Sequence, residues 1–345
     1  MTHTQRLDEL RGADDARYGG KSASLGELLR AGIPVPPGFG LSASAFGAFM
    51  EDSGLAHRAA AALAGVDAGD VAALAHASHL IAEAMRSAPI PDEVRAEVSA
   101  QYATLADGGD APAVAVRSSA LGEDSSDATF AGQQDTYLWV RGVDDICSAV
   151  RDCWASLYNT EAISYRARLG GDAAARPAMG VTVQVMVDAA VSGVMFTCNP
   201  VSGDPSMVAV NASWGLGLAV VGGEVTPDDY LVSKVTGEVV REHVHDKEIE
   251  YVPAPGGRGT VQLSVDAERR TAPCLGPEEL ASLVELSKRV EQHFGSHQDV
   301  EWAIDRGGSL YVLQSRPVTA LPKKAAPAPP ASALSLVMQK FGAGG

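Results

Sequence analysis

Two stretches near the carboxyl end carry side chains that could do chemistry. "QDVEWAI", Gln298 to Ile304, and "SLYVLQSRP", Ser309 to Pro317, flank the turn residues "DRGG", Asp305 to Gly308. Side chains alternate along a strand. Asp299 and Glu301 therefore share one face of the first strand, and Val312, Gln314 and Arg316 one face of the second. If Asp305–Gly308 forms a four-residue turn, Ile304 faces Ser309, Asp299 stands opposite Gln314, and Glu301 lies diagonal to it. Two carboxylates, an amide oxygen and a guanidinium then converge. Oxygen ligands of this kind suit Mg²⁺ bound together with substrate phosphates, and a guanidinium grips phosphate bidentately. The same residues could equally form the solvated face of an ordinary antiparallel hairpin, and a one-residue slip would scatter them.

Three further features could serve an anion. The run "AVAVRSSALGEDSSDATFAGQQDTYLWV", Ala113 to Val140, delivers Arg117 at a strand end into a loop of small polar residues. Phosphate sites are often built this way; a surface arginine paired with Glu123 or Asp124 is the plain alternative. "GGKS", Gly19 to Ser22, suggests a phosphate loop. That motif needs a glycine five residues before its second one, and here the position holds Asp15. What survives is Lys21 in the first turn of a helix, where backbone N–H groups and the helix dipole favour an anion, or merely an exposed lysine at a turn. The glycine-rich run "NASWGLGLAVVGGEVTPDDY", Asn211 to Tyr230, could approach a ligand with its backbone, act as a lid, or be a structural loop. His243 and His245 share a strand face and could hold a metal, but the charged setting "REHVHDKEIE" also reads as an exposed edge strand. The motifs H-E-x-x-H, G-x-S-x-G and G-x-G-x-x-G behind a strand are absent.

The elements that must position these residues form an α+β pattern. Helical spacing follows Gly19–Gly20 and recurs around Phe46–Met50, Val71–Met85, Asp92–Leu105 and Asp144–Tyr158. Strands are expected at Ala113–Arg117, Thr136–Val140, Gly180–Val187, Gly193–Thr197, Met207–Ala212, Tyr230–Val235 and Glu238–Arg241. The helix Pro277–Phe294 precedes the final hairpin. Two lobes follow, residues 1–190 and 191–320, with a cleft between them. Residues 321–345 begin with "PKKAAPAPPASA", an extended Pro/Ala linker, and end in the apolar "LSLVMQKFGAGG".

With 345 residues and 46% hydrophobic content, the chain can bury a sizeable core, while its net charge of −16 argues against a nucleic-acid partner. No apolar run reaches membrane-spanning length and no signal-peptide core is visible, so a cytoplasmic protein is expected. Four widely spaced cysteines lack a C-x-x-C pair and read as reduced and structural.

The Arg117 stretch closely resembles the nucleotide-binding domain shared by phosphoenolpyruvate synthase, pyruvate phosphate dikinase and rifampicin phosphotransferase. The likeness continues in order through "GGKSASLGELLRAGIPVPPGF", "SGVMFTCNPVSGD", "WGLGLAVVGGEVTPDDY" and "DVEWAID…LYVLQSRPVT", spanning roughly residues 15 to 320. The resemblance implies an ATP-grasp-like fold whose two lobes clamp ATP and Mg²⁺. It assigns Lys21 and Arg117 to phosphate contacts and Gly132 and Thr136 to the lining of the nucleotide site. Gln184 falls where a strand edge meets adenine. Glu301 and Gln314 become metal ligands, Arg316 contacts the transferred phosphates, and Asp299 is a further acid of the motif. Leu218 departs from the pattern, since many relatives read G-L-G-E where this chain has G-L-G-L. The carrier-histidine loop of such enzymes and their acceptor-substrate domain are missing from these residues. The resemblance therefore implies a stand-alone ATP-binding subunit. It would cleave ATP to AMP and phosphate and pass the β-phosphoryl group to a histidine on a partner protein. The alternatives are a self-sufficient ATP-grasp kinase or ligase and a non-catalytic nucleotide-binding module.

Overall fold

A computed structural model describes residues 2–67, 69–106, 109, 111–121, 136–169 and 177–319. Gly132, the small-residue loop around it and the Pro/Ala segment with its apolar tail lie outside the described residues.

Two antiparallel sheets divide the chain. The first has the order β1 (Thr4–Arg6), β2 (Gly38–Leu41), β5 (Met179–Val185), β3 (Val114–Ala120), β4 (Thr136–Val140). The second has the order β13 (Leu310–Pro317), β12 (Gln298–Asp305), β6 (Ala189–Phe196), β7 (Met207–Trp214), β8 (Asp228–Ser233), β9 (Val239–His243). A separate hairpin pairs β10 (Ile249–Pro253) with β11 (Thr260–Ser264). The chain leaves the first sheet at Val185 and enters the second at Ala189, so Met186–Asp188 is the connection between lobes.

Each sheet buries one face under helices, as an amphipathic layer must. On the first sheet lie α3 (Ala43–Asp52), α4 (Leu55–Leu63), α5 (Val71–Ser87), α6 (Asp92–Thr104), α7 (Val143–Ala155) and α8 (Thr160–Leu169). Phe46 and Phe49 pack on Trp154 with ring centroids 5.7 and 5.0 Å apart. On the second sheet, Leu283, Val284 and Val290 of the long helix Pro277–Phe294 meet Val208, Val300, Trp302 and Val312. Leu25 and Leu28 of α2 (Gly20–Arg30), which follows the one-turn helix α1 (Asp15–Tyr18), join this second core. An amino-terminal helix thus helps to build the carboxyl-terminal lobe.

Several elements carry no clear pattern. β2 is the four-residue "GFGL", with two glycines and both faces buried, so it shows neither β propensity nor alternation. β10 and β11 flank the glycine-rich turn residues of "PAPGGRGT"; β10 shows no consistent apolar alternation, while β11 alternates Val261 and Leu263 with polar residues yet leaves Leu263 exposed.

Trp302 is fully buried at the centre of the second core. Trp302→Ala should lower unfolding stability by about 3–5 kcal/mol, read as a drop in the urea midpoint without a change in slope; a shift within error would remove Trp302 from the core's centre.

Candidate functional site

The final hairpin keeps the expected face but not the expected register. Ile304 pairs with Leu310, one residue further than a four-residue turn would give. A bulge between Glu301 and Trp302 adds a second one-residue slip, so Glu301 stands opposite Gln314 and Asp299 opposite Arg316. Side-chain direction repeats every two residues, so two slips cancel and the four polar residues still share a face. The bulge corrects one expectation, that Val312 joins this face. Val312 is fully buried in the second core beside Trp302, while Leu313 has no partner in the ladder.

Arg117 reaches across from the other lobe. Arg117 is not at a strand end as expected: it pairs with Thr136 on β4 and Thr182 on β5, and β3 runs on beside β5 to Ala120; its side chain is only 11% exposed. One terminal nitrogen (Nη1) donates to the Leu313 carbonyl at 3.0 Å, the acceptor that the bulge leaves outside the ladder. The other (Nη2) donates to Glu301 Oε2 at 2.7 Å and to Gln314 Oε1 at 2.8 Å. Its buried Nε finds no acceptor among the described residues. Glu123 and Asp124, the surface partners considered for it, lie outside the described residues.

Lys21 is buried in the first turn of α2. The local cause is Gly19, whose φ of +81° suits glycine and whose Cβ, if present, would meet the Ser119 carbonyl oxygen at 2.2 Å. Only glycine lets the helix start come so close to the end of β3. Ser22 Oγ and Thr182 Oγ1 share a hydrogen bond of 2.7 Å, and Ser24 donates to the Ser315 carbonyl at 2.9 Å. One helix turn thus touches both sheets, with Lys21 between them facing the cleft.

Arg316 donates to Asp299 Oδ2 from Nε at 2.9 Å, with a second nitrogen 2.8 Å away, and remains half exposed at the cleft rim. Burial pushes the Asp299 carboxyl above its ordinary range, and Arg316 only partly offsets this. Burial also opposes ionisation of Glu301, but Arg117 overcomes it, aided by Lys21 and Arg316, and holds that carboxyl below its usual range.

Lys21, Arg117, Glu301, Gln314 and Arg316 line a cleft of about 630 Å³, with Asp299 behind Arg316, within the range of small-molecule sites. Thr136 and Gln184 also line it. Gln184 corrects an expectation: it is not at a strand edge. It pairs with Gly38 on one side and Ala115 on the other, and its buried side chain donates to the Pro36 carbonyl at 3.4 Å. Met186 and Val187, just beyond the end of β5, also line the cleft. Sequence reasoning did not single out these two, nor the apolar Leu138 and Leu216 on the walls; nothing in their residue types marks them.

The glycine-rich run is pinned at its start. Gly215 has φ +70° and a Cβ there would meet the Tyr251 carbonyl oxygen at 2.5 Å. Its N–H donates to Ala190 and its carbonyl accepts from Ser192 Oγ. Leu216, Leu218, Val220 and Val221 then border the cleft, the last three on the single-turn helix α9 (Leu218–Val221).

Two α+β lobes closing on a cleft with cationic and carboxylate side chains on its floor define an ATP-grasp-like nucleotide-binding architecture. Residues 15–334 match the family described as pyruvate phosphate dikinase, AMP/ATP-binding domain, and the chain belongs to that family. It is similar to a probable phosphoenolpyruvate synthase of Methanothermobacter thermautotrophicus, 43% identical over 317 residues, covering 91% of this chain and 46% of the relative. The phosphoenolpyruvate synthase of Pyrococcus furiosus is 37% identical over 365 residues, 92% of this chain and 44% of the relative. A rifampicin phosphotransferase of a Streptomyces species is 41% identical over 316 residues, 91% of this chain and 36% of the relative. The chain thus spans less than half the length of these relatives.

The two carboxylates should shift in opposite directions: in a carboxyl ¹³C NMR titration Glu301 should ionise below the ordinary glutamate range and Asp299 above the ordinary aspartate range. Because the folded-state value of Glu301 is depressed, its stabilisation is full above the unfolded value and fades as pH falls through the folded one. Glu301→Gln should cost about 1–2 kcal/mol at pH 7 and flatten that acid limb. A Glu301 carboxyl that titrates at or above the ordinary glutamate value would contradict the assignment.

Proposed function

We propose that the cleft binds ATP with Mg²⁺ and cleaves it to AMP and phosphate, passing the β-phosphoryl group to a carrier histidine outside these 345 residues. The observation that supports this best is the convergence of Glu301 Oε2 and Gln314 Oε1 on one nitrogen of Arg117. Two oxygens already gathered around a cationic centre are the donor set a hard divalent ion uses alongside phosphate oxygens. Glu301 and Gln314 would hold Mg²⁺, which when bound neutralises phosphate charge.

The protein's own side chains do the rest. Lys21 and Arg117 present positive charge from the first lobe and Arg316 from the second. Charge that builds up as the bond between phosphates breaks meets groups already in place, so little reorganisation is needed. Asp299 orients Arg316. Met186 and Val187, past the end of β5, would lie against a base, with Gln184 and Thr136 also lining the cleft. Gly132 is assigned to the same site by family resemblance alone.

The carrier is placed elsewhere because none of the eight histidines is among the cleft-lining residues. The acceptor compound belongs to that unseen part. Pyruvate or an antibiotic would be reached through the carrier and not selected by this cleft. A phosphohistidine-domain protein and an acceptor-substrate domain are accordingly its functional partners.

Product analysis tests the proposal. With ATP, Mg²⁺ and a phosphohistidine-domain protein, ³¹P NMR should show AMP and phosphate together with phosphohistidine, and little turnover without the carrier. Arg117→Ala and Lys21→Ala should each slow turnover by about 10²–10³-fold. ADP as the product, or full-rate turnover on a small molecule alone, would overturn the carrier mechanism.

A further inference from the structure

Away from the cleft, Asp229, His243 and His245 bring three ligand atoms within 4.8 Å of one another. Asp229 on β8 stands directly opposite His243 on β9, and His243 Nδ1 lies 3.1 Å from Asp229 Oδ2. His245 is two residues further on, and its ring centroid lies 6.3 Å from that of His243. We propose that these three side chains form a binding site for a borderline divalent transition-metal ion such as Zn²⁺, independent of the nucleotide cleft.

The chemistry selects the metal class. Two imidazoles and one carboxylate suit zinc, copper or nickel, whereas Mg²⁺ and Ca²⁺ take oxygen ligands. Donors around a tetrahedral zinc stand about 3.4 Å apart, given bonds near 2.1 Å. The observed spread therefore closes with a small side-chain rotation, which exposed His243 can make. Three protein ligands leave a fourth position open to water or to an outside donor.

Two neighbouring arrangements make this more than a chance meeting. Asp229 Oδ1 accepts from Arg241 Nε at 3.1 Å and from a terminal nitrogen at 2.8 Å. The carboxylate is thereby turned so that Oδ2 faces the histidines, the orienting role that outer partners play around metals. The arginine's charge also opposes a cation, which keeps the site to moderate affinity. The backbone of His245 is fixed from beneath. Its N–H donates to Asp228 Oδ1 at 2.9 Å, and its carbonyl accepts from Lys247 Nζ at 2.7 Å. Asp228 and Lys247 are both fully buried and paired at 2.5 Å. Burying an ion pair is costly, and here it tethers the peptide unit that places the third ligand.

A bound ion would staple the outermost strand and its exit to β8. β9 is the exposed edge of the second sheet, and edges left open invite unwanted pairing. It lies four strand spacings from β12, roughly 19 Å, so the metal would touch neither Glu301 nor Gln314.

Calorimetry with ZnCl₂ on the EDTA-treated full chain without nucleotide tests the proposal, alongside Co²⁺ absorption spectra. One equivalent should bind in the micromolar range, raise the melting temperature and give the visible bands of Co²⁺ with nitrogen ligands. His243→Ala and His245→Ala should each weaken that equivalent by at least 10–100-fold with unchanged far-UV circular dichroism. His3→Ala, which disrupts the cluster of His3, Glu93 and Glu97, and Glu301→Gln in the cleft should leave it intact. Zinc binding no tighter than millimolar, or an equivalent that survives in the His243/His245 double variant, would overturn the assignment.

Discussion

The arrangement of the two lobes depends on one guanidinium. Arg117 leaves the first sheet and ends among residues of the second, almost wholly out of water. A cation in that position is tolerable only if its hydrogen bonds are met. Glu301, Gln314 and the Leu313 carbonyl meet those of its two terminal nitrogens, and each belongs to the other lobe. Separating the lobes would strand both the arginine and Glu301. The bulge in the last hairpin belongs to the same interaction, because it frees the Leu313 carbonyl from its ladder. A second pin, the first turn of α2, reaches the first sheet through Ser22 and the second through Ser24. Lys21 sits between these two contacts, so the lysine and the arginine are positioned by the same closure.

Charge in the cleft runs against charge on the molecule. The chain as a whole carries −16, yet Lys21, Arg117 and Arg316 outnumber the one carboxylate, Glu301, on the cleft floor. A concave, partly desolvated pocket focuses such a local excess. With a divalent ion added, the floor approaches the charge needed to balance a triphosphate of about −4.

The polar constellation was legible because strand alternation survives errors of register in even steps. Asp299, Glu301, Gln314 and Arg316 share a face whether the turn is read correctly or not, provided that the slips sum to two. The bulge itself was illegible, since Leu313 is an unremarkable residue in an unremarkable strand. Arg117 and Lys21 were visible as candidates, but their meeting with a hairpin so distant in sequence, 184 residues on for the Arg117–Glu301 contact, was not deducible from spacing; only family resemblance suggested it. Local charge misled in one place. "VHDKEIE" reads as a solvated segment, yet Lys247 is fully buried, because its partner Asp228 comes from a strand nineteen residues earlier. Short strands such as β2 were missed because two glycines erase the pattern that burial normally writes.

The walls of the cleft differ as much as its floor and roof. Lys21, Arg117, Glu301, Gln314 and Arg316 make a polar floor, while Leu216, Leu218, Val220 and Val221 form an apolar border. Leu218 lies on this apolar border, where a carboxylate would add negative charge opposite the cationic floor; leucine extends the apolar edge. An apolar roof that settles over bound phosphates excludes water, and every charge interaction beneath it strengthens as the local dielectric falls. The roof is anchored at Gly215 to β6 and to Tyr251, but its outer residue Val221 remains exposed. It is therefore hinged at one end and unburied at the other, so a ligand in the cleft would give that apolar end something to cover.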